Sequence, residues 1–331
     1  MIIAVDAAGG QYAPHEIVKG AVKAHHEYGV DIVLVGRKNI LRTMAGRYLK
    51  KPGLAIVNAR QVIEPNEHPL EAMRKKPDSS IAVGIKLVKD GTASAFVSAG
   101  NTGAVFVAAL FGLGKIKGIE RPAIASIMDF TPGVPVLLID AGANVDCKPA
   151  HLVKFAQMGT LYARQVLGIE SPRVGLLSNG EEAEKGTRLV TATYKLLKKT
   201  DLNFIGNIEG HDIIKRTADV IVTDGFTGNV VIKTVEGMGD SFRRRLGQVL
   251  QPVTTAYHVQ GRILLNLVGM SSWAKKIDYR EYGGACLLGV NGNVIIAHGR
   301  SRAYAIKNAI GLAKQTAERS NLQQYKESKS E

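Results

Sequence analysis

The chain has 331 residues, of which 45% are hydrophobic and 22% are charged, so it can bury a large core and is neither disordered nor fibrous. Its formal net charge of +14 favours an acidic partner, whether nucleic acid, an anionic membrane surface, an acidic protein or a phosphorylated substrate. The two cysteines, Cys147 and Cys286, lie far apart in the sequence, which implies no disulfide framework and indicates a reducing cytosol.

The chain begins with a predicted buried strand at residues 2–5, which ends at Asp6 and runs into a glycine turn at 7–10. These residues lack the basic flank and the long apolar core of a signal peptide, which favours the strand. A helix is predicted from Pro14, because proline suits a first helical turn and the apolar residues after it repeat at helical spacing. The chain therefore opens as a strand, a polar turn and a helix.

Predicted strands and helices then alternate along most of the chain. Short apolar runs predict strands, and periodic segments after capping residues such as Ser79 predict helices. The further predicted strands are 32–35, 55–57, 95–97, 124–128, 136–139, 174–177, 204–210, 220–223, 286–290 and 294–297, the last two as a hairpin. The further predicted helices are 81–88, 105–111, 150–167, 189–197 and 301–319, the last capped by Ser301.

This alternation indicates an α/β fold of three layers, α/β/α, in which helices cover both faces of a Rossmann-like, mostly parallel sheet. We predict a single catalytic domain at residues 1–320 and a disordered tail at 321–331. At residues 240–280 the alternation stops, and basic residues flank an apolar stretch. Such a protruding helical lobe suits a membrane surface or an oligomer interface, and ordinary helices that pack on the sheet are the alternative.

The turn at residues 98–104 is the first candidate site. It joins a short strand to an apolar helix, so several backbone N–H groups remain unpaired beside the positive end of a helix dipole, which suits an anion. Ser98, Asn101 and Thr102 add side-chain donors. A tight turn in which glycines merely permit close packing is the alternative.

Polar, glycine-rich turns follow five of the predicted strands, after residues 5, 97, 139, 177 and 223. Ligands of open α/β sheets bind outside the carboxyl ends of the strands. Because the sheet is predicted to be parallel, five such turns in one register argue for a shared site. This arrangement favours the functional interpretation of residues 98–104.

Several motifs are absent from the sequence. It has no P-loop, no HExxH, no GxSxG and no GxGxxG after the first strand. Cys147 and His151 alone do not complete a zinc site, and aromatic residues make up only 6% of the chain, without an RNA-binding signature. We expect no metal and no cofactor. His298, which follows a predicted strand, is a further candidate site residue.

A set of short stretches carries a resemblance to a known family. They are residues 6–10, 98–104, 121–123, 140–144, 180–186, 206–210, 224–229 with Lys233, 282–285 and 287–289. Over these stretches the chain resembles the phosphate acyltransferase family of bacterial phospholipid synthesis, the acyl-carrier-protein:phosphate acyltransferases. It departs from the family at Ala8 and at Gln11, which replaces a carboxylate, and at Cys286, where proline is usual. We therefore assign no catalytic role to Gln11.

The resemblance implies an α/β/α fold related to phosphotransacetylases and isocitrate-type dehydrogenases. It implies transfer of a long-chain fatty acyl group from acyl carrier protein to inorganic phosphate, giving acyl phosphate for phosphatidic acid synthesis. It also implies a cytoplasmic homodimer that associates peripherally with the inner face of the cell membrane. The implied partners are acyl carrier protein, the membrane surface and the membrane glycerol-3-phosphate acyltransferase, without nucleic acid.

Within that resemblance we assign the phosphate to the backbone of Asn101, Thr102 and Gly103. Lys185 neutralises the charge of the phosphate or of the developing oxyanion, and Asn229 donates to the thioester oxygen. The groups that orient them are Glu182, Asp224, Asp140 and Asn144, and helix capping is the alternative role for each acid. The other predicted substrate-binding residues are Ser98, Gly100, Asp6, Gly9, Gly10, Thr227 and Gly228.

Other activities remain open at this point. The nearest is a short-chain phosphate acyltransferase that uses an acyl coenzyme A. A decarboxylating dehydrogenase of the same fold is disfavoured, because no adenosine fingerprint or acidic metal cluster is evident. A basic module that binds a membrane surface or nucleic acid without catalysis is the alternative from another class.

Overall fold

The computed structural model describes residues 1–46, 48–49, 52–130, 135–257 and 283–319, without the side chains of 240, 242–244 and 246–257. The predicted tail at 321–331 lies outside these residues, as do residues 258–280 of the predicted lobe at 240–280. The first part of that lobe, to Tyr257, is helical and continues a helix that starts at Gly225.

The described strands form one sheet in the order β3-β2-β1-β4-β11-β10-β5-β6-β9-β7-β8. Buried apolar side chains alternate between its two faces, as expected for strands that are covered on both sides. The strands are β1 Ile2–Asp6, β2 Asp31–Gly36, β3 Leu54–Asn58, β4 Ala95–Ser98, β5 Ala123–Met128, β6 Val136–Ile139, β7 Val174–Leu177, β8 Phe204–Ile208, β9 Val220–Val222, β10 Gly284–Leu288 and β11 Asn293–Ala297.

Helices follow most strands, and their ends match the sequence signals in several places. Ser79 caps its helix by accepting the N–H of Ala82 at 3.3 Å, as predicted. Ser301 does not cap the last helix, because that helix starts at Ala303 and its first N–H donates to Glu16 instead. The helices are α1 His15–Tyr28, α2 Lys38–Ala45, α3 Pro69–Lys75, α4 Ser80–Lys89, α5 Thr102–Gly112, α6 Pro149–Gln165, α7 Arg188–Leu197, α8 Asp212–Lys215, α9 Gly225–Tyr257 and α10 Ala303–Arg319.

The sheet is mostly parallel, but its two halves run in opposite directions. The hairpin β10–β11 lies in the middle, where β10 is antiparallel to both β11 and β5, and β5 is antiparallel to β6. Consequently β1, β2, β3, β4, β5 and β11 run one way, and β6, β7, β8, β9 and β10 run the other way. We call the edge where β4 ends the β4 edge, and the opposite edge, where β6 ends, the β6 edge.

This reversal corrects the expectation that the five polar turns meet at one edge. The turns after β1 and β4 lie at the β4 edge, whereas those after β6, β7 and β9 lie at the β6 edge. The error came from assuming one direction for all strands, which short apolar runs do not encode. A site that uses turns from both groups must therefore extend across the sheet.

Two differently arranged helix layers cover the sheet. One face packs against α1, α2, α6, α7 and α10 in a continuous apolar core. The other face has two separate cores, one under α3, α4 and α5, and one under α8 and α9. The sheet between α5 and α9 is therefore left open to a groove. None of the helices in the described ranges combines the length and apolar character needed to cross a membrane.

Candidate active site

The groove between α5 and α9 has a volume of about 520 Å³. Its floor is formed by β5, β10 and β11, which present the side chains of Ile124, Met128 and Ile296. Phe106 of α5 and Ile232 of α9 stand on opposite walls. The two helices run in opposite directions along it, since α5 starts at the β4 edge and α9 at the β6 edge. The groove thus connects both groups of polar turns over an apolar floor.

At the β4 edge, the turns after β1 and β4 are joined by a buried carboxylate. Asp6 accepts the N–H groups of Ala8 and Gly9, both at 3.0 Å, and the hydroxyl of Ser98 at 2.7 Å. The same hydroxyl oxygen accepts the N–H of Gly100 at 3.0 Å. Asp6 and Ser98 are each 1% exposed, so they hold the turns together from below.

The glycines of these turns permit the close approach. A Cβ on Gly9 would lie 2.8 Å from the Cα of Gly100, closer than real side chains come. Gly10 has a φ of +106°, a conformation that L side chains rarely adopt, and it faces Ala99. These glycines, which were predicted to bind substrate, are therefore required by the backbone geometry itself.

Asn101 caps α5 and anchors a neighbouring loop. Its side-chain oxygen accepts the N–H of Ala104 at 3.0 Å, and its amide nitrogen lies 3.3, 3.2 and 3.0 Å from the carbonyl oxygens of Glu64, Pro65 and Glu67. The next two residues of the predicted phosphate site, Thr102 and Gly103, line the groove. The first turn of α5 is thus presented to the groove while the Asn101 side chain is engaged elsewhere.

At the β6 edge, Asp140 organises the turn after β6. Its carboxylate accepts the backbone N–H groups of Ile124, Gly142, Ala143 and Asn144 at 2.7–3.2 Å, and the Asn144 side-chain amide at 2.8 Å. Burial raises the pKa of Asp140, while these donors favour the charged form. Asp140 is fully buried, so it shapes the turn and not the groove surface.

The same turn fixes the start of α9. The backbone carbonyl oxygen of Asn144 accepts the N–H of Gly225 at 2.7 Å. A side chain on Gly225 would overlap the backbone of Asn144, and one on Gly228 would overlap the backbone of Asp140. The carboxylate of Asp224 accepts the N–H of Thr227 at 2.9 Å and its hydroxyl at 2.8 Å. Asp224 therefore caps α9, which is the alternative role that sequence reasoning kept open for the acids.

One predicted catalytic residue of α9 reaches the groove. Asn229 is exposed, lines the groove one turn into α9, and lies against Gly142 of the turn after β6. The turns at 140–144 and 224–228 thus act together to place the Asn229 side chain on the groove surface.

Lys185 and Glu182 lie elsewhere at the β6 edge, in the loop between β7 and α7. Both side chains are exposed, and neither lines the groove among the described residues. The loop is held to β8 through the side chain of Asn207, which donates to the carbonyl of Glu182 at 2.8 Å. Nothing in this geometry assigns them a substrate, so their catalytic roles stay predictions.

The groove also contains a cluster of three polar side chains whose arrangement the sequence does not predict. Lys233 Nζ lies 2.9 Å from Glu236 Oε2 and 3.1 Å from His298 Nε2, and Glu236 Oε2 lies 3.3 Å from His298 Nε2. From the sequence, Lys233 stands out only within the family resemblance, and His298 only as a candidate residue after a strand. The available signal was the i,i+3 spacing of Lys233 and Glu236 on one helix.

Neither cysteine is placed for reactivity. Burial raises the pKa of Cys147 to about 11, and it raises the pKa of Cys286 to about 11 as well. Cys286 faces the continuous core, with Tyr162 Oη 2.9 Å from its Sγ. Within the part of the chain that the structure describes, no three histidine, cysteine or acidic side chains are grouped so as to hold a metal ion.

Comparison with known sequences gives a clear result. The fatty acid synthesis protein family matches residues 1–324. A phosphate acyltransferase from Dehalococcoides mccartyi is 58% identical over 319 residues, covering 96% of this chain and 92% of the relative. Another from Pelotomaculum thermopropionicum is 49% identical over 328 residues, covering 99% of this chain and 95% of the relative.

Solved structures give the same fold at low sequence identity. A phosphotransacetylase from Streptococcus pyogenes aligns with a TM-score of 0.61 at 17% identity, covering 96% of this chain and 94% of its own. The EutD phosphotransacetylase from Staphylococcus aureus aligns with a TM-score of 0.60 at 14% identity and the same coverage. The fold is thus phosphotransacetylase-like, as expected from the sequence.

Proposed function

We propose a donor and a product for this chain, which belongs to the fatty acid synthesis protein family and, within it, to the phosphate acyltransferases, enzymes of the acyltransferase class. It transfers a long-chain fatty acyl group from acyl carrier protein to inorganic phosphate. The product, an acyl phosphate, feeds phosphatidic acid synthesis.

The main support for this proposal is the apolar groove between α5 and α9. Its volume of about 520 Å³ falls among ligand pockets, which typically hold about 300–1,000 Å³. Burial of an acyl chain on this floor would contribute about 0.8 kcal/mol for each methylene. An acetyl group would leave most of the floor unused, so the groove favours a long acyl chain.

The chemistry needs positioning more than an activated side chain. An oxygen of hydrogen phosphate attacks the thioester carbonyl carbon, the carbon–sulfur bond breaks, and the proton of hydrogen phosphate ends on the thiol. The phosphate is already anionic, and a thiolate leaves readily because thiol pKa values are about 8.5. Two groups are then required, one that binds the phosphate and one that stabilises the oxyanion.

We assign these tasks to the ends of the two groove helices. The backbone of Asn101, Thr102 and Gly103 at the start of α5 binds the phosphate, where the helix dipole favours an anion. Asn229 donates to the thioester oxygen from α9. The remaining predicted residues position these groups, through Asp6, Ser98, Gly9, Gly10 and Gly100 at one edge and Asp140, Asn144, Asp224, Thr227 and Gly228 at the other.

Lys185 and Glu182 keep their proposed roles in charge neutralisation and orientation as a separate hypothesis. Lys185 is exposed beside the β6 edge, where it could meet the donor as it enters. Substitution of Lys185 by alanine should then abolish turnover without unfolding the protein. Near-normal activity of the folded variant would remove this lysine from the mechanism.

The donor is tested by offering the protein phosphate together with palmitoyl-carrier protein, palmitoyl coenzyme A or acetyl coenzyme A. We expect acyl phosphate to form fastest from the palmitoyl-carrier protein. Preference for acetyl coenzyme A would instead establish a short-chain enzyme. Absence of acyl phosphate with every donor would favour a binding module without catalysis.

We also propose that the catalytic unit spans residues 1–320 and acts as a homodimer at the cytoplasmic face of the membrane, near the glycerol-3-phosphate acyltransferase. Exposed apolar side chains on α9 support this, with Phe226 63%, Val230 51% and Met238 62% exposed. Sedimentation with anionic lipid vesicles tests the membrane contact. It should weaken when Phe226 and Val230 are changed to serine, and unchanged binding would refute a role for this helix face.

A further inference from the structure

We infer that Lys233, held by Glu236 beside His298, binds the phosphate nucleophile at the β4 edge of the groove. This inference rests on the proposed function, because it names the residue that supplies positive charge to the phosphate of that reaction. It gives Lys233 the charge of the phosphate to neutralise and leaves to Lys185 only the charge of the developing oxyanion.

The groove offers few positively charged side chains to an anion. Among the described residues that line it, Lys233 is the only lysine or arginine. Phosphate at neutral pH carries up to two negative charges, and the N-terminus of α5 offers only about half a positive charge. An anion that leaves water for this groove needs charged hydrogen-bond donors. The charge of Glu236 offsets that of Lys233, but the Lys233 ammonium has three N–H groups and can donate to the anion while it stays hydrogen-bonded to Glu236.

The strand register places this cluster next to the turn that opens α5. β4 and β11 are parallel neighbours, with Ser98 opposite Ile296, so His298 leaves β11 where Gly100 leaves β4. The carbonyl of Gly299 accepts the N–H of Gln11 at 2.8 Å, which ties the end of β11 to the turn after β1. Because Lys233 Nζ lies 3.1 Å from His298 Nε2, the ammonium group reaches the edge where Thr102 and Gly103 lie.

The contacts of the cluster fix the ammonium group without burying it. The side chain of Glu236 is 15% exposed, whereas that of Lys233 is 53% exposed. Burial opposes ionisation of Glu236, but His298 and Lys233 outweigh it and lower the pKa of this carboxyl. His298 is in turn oriented by the N–H of Arg300, which lies 3.0 Å from its Nδ1. Glu236 and His298 are therefore positioning residues, and Lys233 is left facing the groove.

The sharpest test compares two lysine substitutions, Lys233→Ala and Lys199→Ala, for turnover at varied phosphate concentration. Lys199 is an exposed residue just after α7, on the opposite face of the sheet, and serves as the control. Loss of one charge-assisted hydrogen bond should raise the KM for phosphate about 10- to 100-fold in Lys233→Ala. The KM for the acyl donor should stay unchanged, and Lys233→Arg should recover most of the phosphate affinity.

Calorimetric titration with inorganic phosphate alone separates this inference from the proposed donor. We expect the folded Lys233→Ala and Lys233→Met variants to bind phosphate more weakly than the wild type, by a similar factor. Unchanged phosphate binding in both folded variants, or weaker phosphate binding in Lys185→Ala alone, would overturn the inference. If the wild type uses no carrier-protein donor, the proposed function is refuted, but the titration still reports whether Lys233 binds phosphate.

Discussion

Gly228 and Gly237 lie on the same helix but in opposite surroundings. A Cβ on Gly228 would overlap the carbonyl oxygen of Asp140, whereas a Cβ on Gly237 would meet nothing within 4 Å. Gly228→Ala should therefore lower the free energy of unfolding by about 1–3 kcal/mol, because the turn after β6 must shift. Gly237→Ala should raise it by about 1 kcal/mol, since alanine is the better helix former.

Urea denaturation of the two variants checks this pair. If the Gly228→Ala variant were as stable as Gly237→Ala, the turn after β6 could shift at little cost in the free energy of unfolding. In that case the close contact between α9 and this turn would not be what places Asn229.

Asp219 offers a pH-dependent test of a partly buried ion pair. It accepts hydrogen bonds from Arg173 Nε and Nη2, both at 3.0 Å. Burial opposes its ionisation, but Arg173 and the nearby Arg216 outweigh burial and lower the pKa of the Asp219 carboxyl. A carboxyl with a lowered folded pKa stabilises the protein above its unfolded pKa, and this stabilisation disappears as pH falls through the folded pKa.

We therefore expect Asp219→Asn to reduce the free energy of unfolding by about 1.5–3 kcal/mol near neutral pH. The difference from wild type should shrink below about pH 4, where the unfolded state takes up the proton first. Unfolding curves from pH 7 down to 3 measure it. A difference that stays constant over this range would show that the charge of Asp219 contributes nothing.

Residue roles were the least predictable part of the site. Sequence reasoning found Asp6, Asp140 and Asp224 as important polar residues but could not tell a substrate contact from a structural one. The structure shows each of them accepting backbone or hydroxyl donors in its own turn. Spacing along the chain does not show whether an acid already accepts hydrogen bonds within its own turn, because a capping acid and a catalytic acid occupy the same position after a strand.

Among elements, the link between α5 and the loop before α3 can be tested at Asn101. Asn101→Ala removes both the helix cap and the three amide contacts to carbonyl groups, and should cost about 1–2 kcal/mol. Asn101→Asp keeps an oxygen that can cap the helix but loses the amide donors. It should leave α5 intact while residues 64–67 exchange their amide hydrogens faster.

Hydrogen exchange measured by mass spectrometry separates the two variants. Unchanged exchange at residues 64–67 in Asn101→Asp would show that the amide contacts do not hold this loop.

The existence of the strands followed directly from apolar runs, and the predicted hairpin of β10 and β11 was confirmed. The helices α2, α3 and α8 were missed, because they are short and bury few apolar side chains: Leu41 and Ala45 in α2, Ala72 in α3, and Ile213 in α8. Such helices depend on the surrounding structure more than on their own periodicity.

For the whole molecule, strand order and direction were beyond the sequence. Strands β10 and β11 come late in the chain yet lie at the centre of the sheet, between β4 and β5. Because these two strands are inserted there, the two halves of the sheet run in opposite directions and the polar turns lie at opposite edges. Such order depends on contacts between residues far apart in sequence, which a local pattern cannot specify. The open face between α5 and α9 follows from this arrangement.

Transfer of label from inorganic phosphate is the decisive measurement for the proposed reaction. The wild-type protein is mixed with palmitoyl-carrier protein and radiolabelled phosphate, and both the acyl phosphate and the free carrier thiol are quantified. Acyl transfer to phosphate should give labelled palmitoyl phosphate and free thiol in equal amounts. Release of thiol with unlabelled palmitate alone would show hydrolysis instead of transfer to phosphate, and the proposed reaction would then be wrong.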